Sequence, residues 1–465
     1  MRPPRLDWLP LLARLTQDRT LRLAVTGLSG AGKTAFITSL VANLLSAVGR
    51  PARLPFLRAA AERRIIATRL STSADAALAP FPVHDTIATL AADPPRWPPS
   101  TTDLRRADLV LRFTPAGLLA RLAGGAAKLT LEILDYPGEW LLDLPLLRQS
   151  YSDWSRTTLD LVRRGARAPL TRDWFDFLAR HPADGAADPE AAHQLHELYR
   201  AFLAACRTRE RLCLLQPGRF LNPGRLDDPS LLRFCPMPFA VGARAREGSM
   251  AALMEARFDA YKRIVVRPFF AQLARRVDRQ IVLVDVLRAL NAGESAFADQ
   301  RLALETILGV FRFGRRNLLR LLFGARIDRV LFAATKADHV PALQRDHLEA
   351  LLANLVAVPT LRAGQAHARV AATALASIRC TEDGTDVIDG RKVDVVIGLP
   401  EGGERRIRFF PGIVPVAPPP ACFWGERFTE FPVFQPPRIG PAAGDGLSHI
   451  NLDKALEFLL GDALE

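Results

Sequence analysis

Lysine is scarce in this chain of 465 residues: six of its 62 basic residues are lysines and the rest are arginines. A formal charge of +13 ordinarily suggests a nucleic acid or a membrane surface as partner. Here the arginines are spread along the chain, with short clusters at Arg315-Arg316 and Arg405-Arg406. Together with abundant Ala and Leu, this reads as compositional drift, so no specific nucleic-acid partner is expected. Cysteine is sparse as well. The five residues (Cys206, Cys213, Cys235, Cys380, Cys422) show no C-x-x-C and no paired spacing, as a reducing compartment tolerates. No run reaches the roughly eighteen apolar residues of a membrane-crossing helix. Pro10, Arg14, Asp18 and Arg19 interrupt what would be the apolar core of a signal peptide. A cytoplasmic location is expected, with peripheral attachment at an inner membrane as the alternative.

What is present is ordinary for a globular protein, with 49% hydrophobic and 24% charged residues. The length suffices for about two or three domains with real cores. The chain is organised around residues 21–40, LRLAVTGLSGAGKTAFITSL. Alternation through Leu21, Leu23 and Val25 predicts a strand, and Phe36, Ile37, Leu40, Val41 and Leu44 fall at helical spacing. Between them GLSGAGKT fits GxxxxGK[ST], the P-loop, in its strand–loop–helix context. Glycines let successive N–H groups turn toward phosphate oxygens, and the helix N-terminus adds unpaired donors. Ser29, Gly30, Ala31 and Gly32 would wrap the phosphates, Lys33 would reach the β- and γ-phosphates, and Thr34 would ligate Mg²⁺.

Two further motifs select a class. Asp108–Phe113 and Lys128–Leu134 read as paired strands, and the second ends in DYPG, a DxxG motif at 135–138. Asp135 would reach Mg²⁺ and the Gly138 N–H the γ-phosphate. Ser100-Thr101-Thr102 precedes that hairpin. Either Thr101 or Thr102 would close over the metal, the order found in regulatory GTPases. TKAD at 335–338 follows a buried apolar run, 327–334, and matches the guanine-reading NKxD with Thr in place of Asn. Asp338 would accept from the guanine ring N–H and exocyclic amine, and Lys336 would lie over the base, beside His339. Such an acceptor pair, left unpaired by the wrong base, discriminates strongly.

The combination GLSGAGKT, STTD, DYPGEW and ATKADH resembles the YcjX-like family of bacterial P-loop proteins along nearly the whole chain. The resemblance implies a GTPase-like core similar to the alpha subunits of heterotrimeric G proteins, an added helical portion, and an association with envelope-stress responses. It leaves ATPase and GTPase open; TKAD favours guanine. Where many small GTPases carry a water-positioning Gln after DxxG, this chain has Glu139, which could act as base, contact a partner or do neither. Arg96 precedes the Thr pair where alpha subunits carry a cis arginine finger. His193 and His196 lie at i, i+3 spacing but find no further placed ligand in the sequence, and the Arg315-Arg316…Arg320 face reads as solvated.

The expected fold is α/β, a mostly parallel sheet of P-loop, GTPase-like type. A helical arm (1–20) carries Leu6, Leu9, Leu12, Leu15 and Trp8, packing on the sheet or docking on a membrane or partner. The core occupies 21–145, with a helical insert at about 59–92, and resumes at 279–380. A helical insertion spans 146–278, and a long Arg-rich helix is expected at about 298–323, in the second part of the core. A β-rich and Pro-rich insertion spans 381–445, and a core helix closes the chain at 446–465. The functional expectation is a slow GTP-hydrolysing switch using GTP/GDP and Mg²⁺. A protein effector or regulator, of the membrane or not, would be its partner. The alternatives are an ATPase, a kinase for which no acceptor site is visible, or a membrane-associated scaffold with a structural nucleotide. Lys33→Ala should abolish fluorescent-nucleotide binding without unfolding the protein. Each charged hydrogen bond lost contributes about 1.5–3 kcal/mol, and unchanged affinity in the titration would refute the P-loop.

Overall fold

The computed structural model describes residues 18–465 apart from residue 29 and residues 72–77, 117–124, 227, 239–244, 275–276, 311–326, 365–368, 426–430 and 441–443. The leucines and Trp8 of the expected N-terminal arm, Ser29, Arg315, Arg316 and Arg320 lie outside the described residues.

Near-continuous apolar runs become the parallel strands of an eight-stranded sheet. Its members are β1 (Arg19–Gly27), β2 (Ile65–Ser71), β3 (Ala79–Pro80), β4 (Arg105–Phe113), β5 (Ala127–Asp135), β6 (Arg279–Val284), β7 (Arg329–Ala334) and β8 (Arg369–Ala374). The order is β2-β4-β5-β1-β6-β7-β8, with the short β3 beside β4. From β5 to β8 every neighbour is parallel, whereas β2, β4 and β5 form an antiparallel edge. This mixed α/β fold is that of a P-loop, GTPase-like protein.

Strand alternation sorts the sheet's two faces. Leu21, Leu23 and Val25 of β1, with Ile281 and Leu283 of β6, pack under helix α1 (Lys33–Ser46) and the C-terminal helix Leu452–Leu460. Val282, Val284, Val330 and Phe332 share the opposite core with Leu348, Leu351 and Leu352 of the helix Arg345–Gly364. Residues 59–71, expected to be helical, instead form a four-residue helix, Arg58–Ala61, and then β2. This edge strand is exposed or half-buried at every residue after Ile65, so it shows no apolar alternation to set it apart from the Ala- and Arg-rich run before it. The helix expected at 298–323 begins earlier, at Glu294, and is described to Val310.

Between β5 and β6 the chain builds a helical lobe from Tyr151–Val162, Arg172–Arg180, Pro189–Thr208, Met250–Tyr261 and Arg267–Ala274. Ser150, Asp188 and Ser249 cap three of these helices by accepting backbone N–H bonds. The lobe's core is aromatic, with Trp154 stacked on Phe258 at 5.1 Å and Trp174 against Tyr199 at 4.7 Å. A second sheet, β9 (Thr381–Ile388), β10 (Arg391–Gly398) and β11 (Ile407–Phe409), is antiparallel. Its first hairpin turns at Asp389-Gly390, both at positive φ, as a two-residue turn matched to strand twist requires.

The lobe is seated on the core through Asp143, in the stretch that follows β5. Its buried carboxylate accepts the Gly218 N–H at 2.7 Å and the Tyr261 hydroxyl at 2.5 Å. Burial lifts this carboxyl from 3.8 to about 6, against the lowering effect of those donors and of Arg219. A carboxyl raised in the folded state contributes most stability below its ordinary value and loses it as pH rises through about 6. Asp143→Asn cannot ionise, so it should gain stability relative to the native protein as pH climbs through that window. Paired thermal melts should show the difference in Tm moving in the variant's favour; a constant difference would refute the assignment.

Candidate nucleotide site

β1 ends at Gly27, where an added Cβ would lie 2.6 Å from the Leu283 carbonyl oxygen, so β1 and β6 approach by backbone alone. The loop turns on Gly30 and Gly32, at φ 79° and 83°, a region that favours glycine. Gly32 is the N-cap of α1, and no side chain caps that end. The buried Lys33 folds back, its Nζ donating to the Gly27 carbonyl at 2.6 Å. This is a cradle for an anion, with an ammonium at its centre.

The antiparallel β4–β5 edge brings Asp135 to the same place. Its Oδ2 accepts the Thr101 hydroxyl at 2.7 Å, and Thr101 Oγ1 lies 3.4 Å from Thr34 Oγ1. Asp135 Oδ1 is buried with no hydrogen-bond partner among the described residues. Burial pushes the Asp135 carboxyl up to about 6, with Lys33, Thr101 and Arg105 holding it back. Three oxygen-bearing side chains, Thr34, Thr101 and Asp135, the last with an orphaned carboxylate oxygen, fit a hard divalent cation. Of the two candidate threonines, Thr101 is buried in this cluster and Thr102 is exposed at the cavity rim. Gly138 lies against the P-loop: a Cβ there would sit 2.3 Å from the Gly27 oxygen. Glu139 is buried, with Oε1 unpartnered among the described residues. Arg96 is exposed, and the residue that borders the cavity is its neighbour Trp97.

β7 delivers the second motif. Lys336 takes a left-handed conformation (φ 61°) and its Nζ pairs with Asp285 Oδ2 at 2.7 Å. The buried Asp338 is aimed by the next loop, its Oδ2 accepting from the Cys380 N–H at 2.9 Å and the Cys380 thiol at 2.8 Å. Burial and the Asp338 charge push that thiol's pKa well up. Burial lowers the pKa of His339, whose ring meets Phe434 edge-on at 5.1 Å.

Both motifs open into one cavity of about 310 Å³, bordered by Gly30–Ala35 at one end and Lys336, Asp338 and His339 at the other. That size is typical of a small-molecule site, of roughly 300–1,000 Å³. The sequence reading missed several of its walls: Trp97, Asn222, Ala376–Ile378, Cys380, Val433 and Phe434. The loop after β8 had a signal, because an apolar run ends at Ser377, as others do before GLSGAGKT and TKAD. Trp97 and Phe434 had none. Their meeting, with the indole N–H donating to the Phe434 carbonyl at 2.7 Å, joins segments 337 residues apart.

A phosphate-type cradle at the end of β1, a hydroxyl–carboxylate cluster beside it and an aspartate-bearing loop after β7 define a P-loop protein of GTPase-like architecture. The profile of the YcjX-like family, DUF463, matches residues 21–464. The chain belongs to that family. It is similar to proteins of Shewanella oneidensis and Escherichia coli that both carry the name Ras-like GTPase YcjX. The first is 37% identical, over 98% of this chain and 96% of its own length. The second is 38% identical, over 96% of each. No described helix is long and apolar enough to cross a membrane.

Proposed function

We propose that this protein binds GTP with Mg²⁺ and hydrolyses it slowly, acting as a switch for a protein effector in a bacterial stress or envelope response. The observation that carries the reading is the single cavity running from Lys33 to Asp338, long enough to join a phosphate cradle to a base-reading carboxylate. The family's relatives named as Ras-like GTPases support it. Lys33 and the N–H groups from Gly30 to Thr34 hold the phosphates. Thr34, Thr101 and Asp135 are the residues that would hold Mg²⁺, which neutralises phosphate charge when bound. Gly138 offers its N–H to the γ-phosphate. Asp338 reads the guanine edge, its carboxylate fixed by Cys380, and Lys336 covers the base.

Guanine nucleotides should bind at least tenfold tighter than adenine nucleotides, and Asp338→Asn should relax the preference toward xanthine, whose carbonyl matches the amide donor. Equal GDP and ADP affinities would overturn guanine reading and favour the ATPase.

Thr101 reaches the cluster from a Pro-flanked loop, and Gly138 leads straight into the buried run Trp140–Leu142. Residues 93–103 and 136–145 should therefore gain hydrogen-exchange protection with a non-hydrolysable GTP analogue relative to GDP. Identical protection in the two states, or turnover near the common enzyme rate of about 10 per second, would rule out the switch.

A further inference from the structure

The helical lobe does more than decorate the core, because one of its loops ends inside the nucleotide cavity. Residues 216–225 are fastened to both segments that face the phosphates. Gln216 Nε2 donates to the Leu142 carbonyl, and the Gly218 N–H to Asp143 at 2.7 Å. The Arg219 guanidinium covers the Trp140 ring at 3.4 Å, and the Trp140 indole N–H donates to the Asn222 carbonyl at 2.8 Å. On the other side, the Arg225 N–H donates to Asp103 Oδ1 at 2.9 Å, two residues after Thr101. Asn222 is thus held between the threonine segment and the Glu139–Trp140 turn. It borders the cavity together with Lys33, Thr101 and Glu139.

Hydrolysis of this type uses a catalytic base or a water-positioning residue to hold the attacking water in line. The position that often supplies it, the residue after DxxG, is here Glu139. A carboxylate cannot donate to a phosphate oxygen, whereas a carboxamide presents an acceptor for the water and two donors for the phosphate. We propose that Asn222, delivered by the helical lobe, is a catalytic residue that orients the attacking water. The inference rests on the GTPase reading above. The water oxygen bonds to the γ-phosphorus while the bond from phosphorus to the β–γ bridging oxygen breaks, leaving its electron pair on GDP. Asn222 accepts a hydrogen bond from the water without taking its proton, which leaves with the inorganic phosphate or passes to solvent.

The experiment is single-turnover GTP hydrolysis by the full chain, in parallel with affinities for GDP and a non-hydrolysable GTP analogue. Asn222 is half-buried and its recorded bond is through the backbone, so Asn222→Ala keeps the Trp140 contact. Asn222→Ala should slow hydrolysis about 100- to 1,000-fold with the GDP affinity unchanged and the analogue affinity reduced by far less than the rate, and Asn222→Gln, which retains the amide, should recover part of the rate. An unaltered rate in Asn222→Ala overturns the proposal. So does a rate loss matched by an affinity loss, a Gln variant as slow as Ala, or a native protein that binds GTP but does not hydrolyse it. A native protein that binds no guanine nucleotide removes the GTPase reading itself, and the inference with it.

Discussion

Backbone packed against backbone, without an intervening side chain, ties this molecule together around its phosphate cradle. At Gly27 the P-loop strand presses on the Leu283 carbonyl, at Gly138 the next turn presses on Gly27, and at Gly218 the lobe presses on the Glu139 carbonyl. A Cβ at these three glycines would stand 2.6, 2.3 and 2.0 Å from a carbonyl oxygen. Such contacts have little slack, since interiors are close-packed and a methyl group cannot be absorbed there. They run in series from β6 through the P-loop and the DxxG turn to the lobe. A displacement of Gly138 therefore cannot stay local, because Gly27 on one side and the Glu139–Gly218 contact on the other leave it no room.

The electrostatics follow the same line. Asp135 and Asp143 lie near the two ends of the stretch that follows β5, and burial holds both carboxyls near 6. One faces Lys33 and Thr101, the other Tyr261 and the Gly218 N–H. Removing carboxylates from water is costly unless donors surround them. The arrangement keeps the segment between them registered on both the cradle and the lobe. Trp140 sits midway, with Arg219 over its ring and Phe269 meeting it edge-on, and supplies the apolar weight.

The parallel half of the sheet was legible in the sequence because strands covered on both faces must be apolar throughout. IVLV at 281–284 and VLFAA at 330–334 could hardly be anything else. The two loop motifs could be placed for a related reason: each directly follows such a strand, GLSGAGKT from the end of β1 and TKAD from the end of β7. What could not be read depended on encounters between distant segments. β2 is hidden in the sequence because only Ile65 of its residues is buried, and its pairing partner β4 lies further on, beginning at Arg105. The choice between Thr101 and Thr102 turns on which hydroxyl the hairpin swings toward Asp135, and adjacent residues of one type carry no such information. Asn222, Trp97 and Phe434 border the cavity from segments whose local patterns describe ordinary loops.

The lobe interrupts the sheet between β5 and β6, and this bears on how the chain reaches its native state. β6 lies directly beside β1, and the Arg22 N–H donates to Asp278 across 256 residues of chain. Closing so long a loop from an unstructured polymer is entropically slow, although the cost grows only with the logarithm of its length. The intervening lobe has its own capped helices and its own aromatic contacts, such as Trp154 on Phe258 and Trp174 on Tyr199. In the folded protein it replaces a long flexible tether by a compact one. A lobe that contributes no described strand thus sets the length of chain across which the central β1–β6 pairing must close.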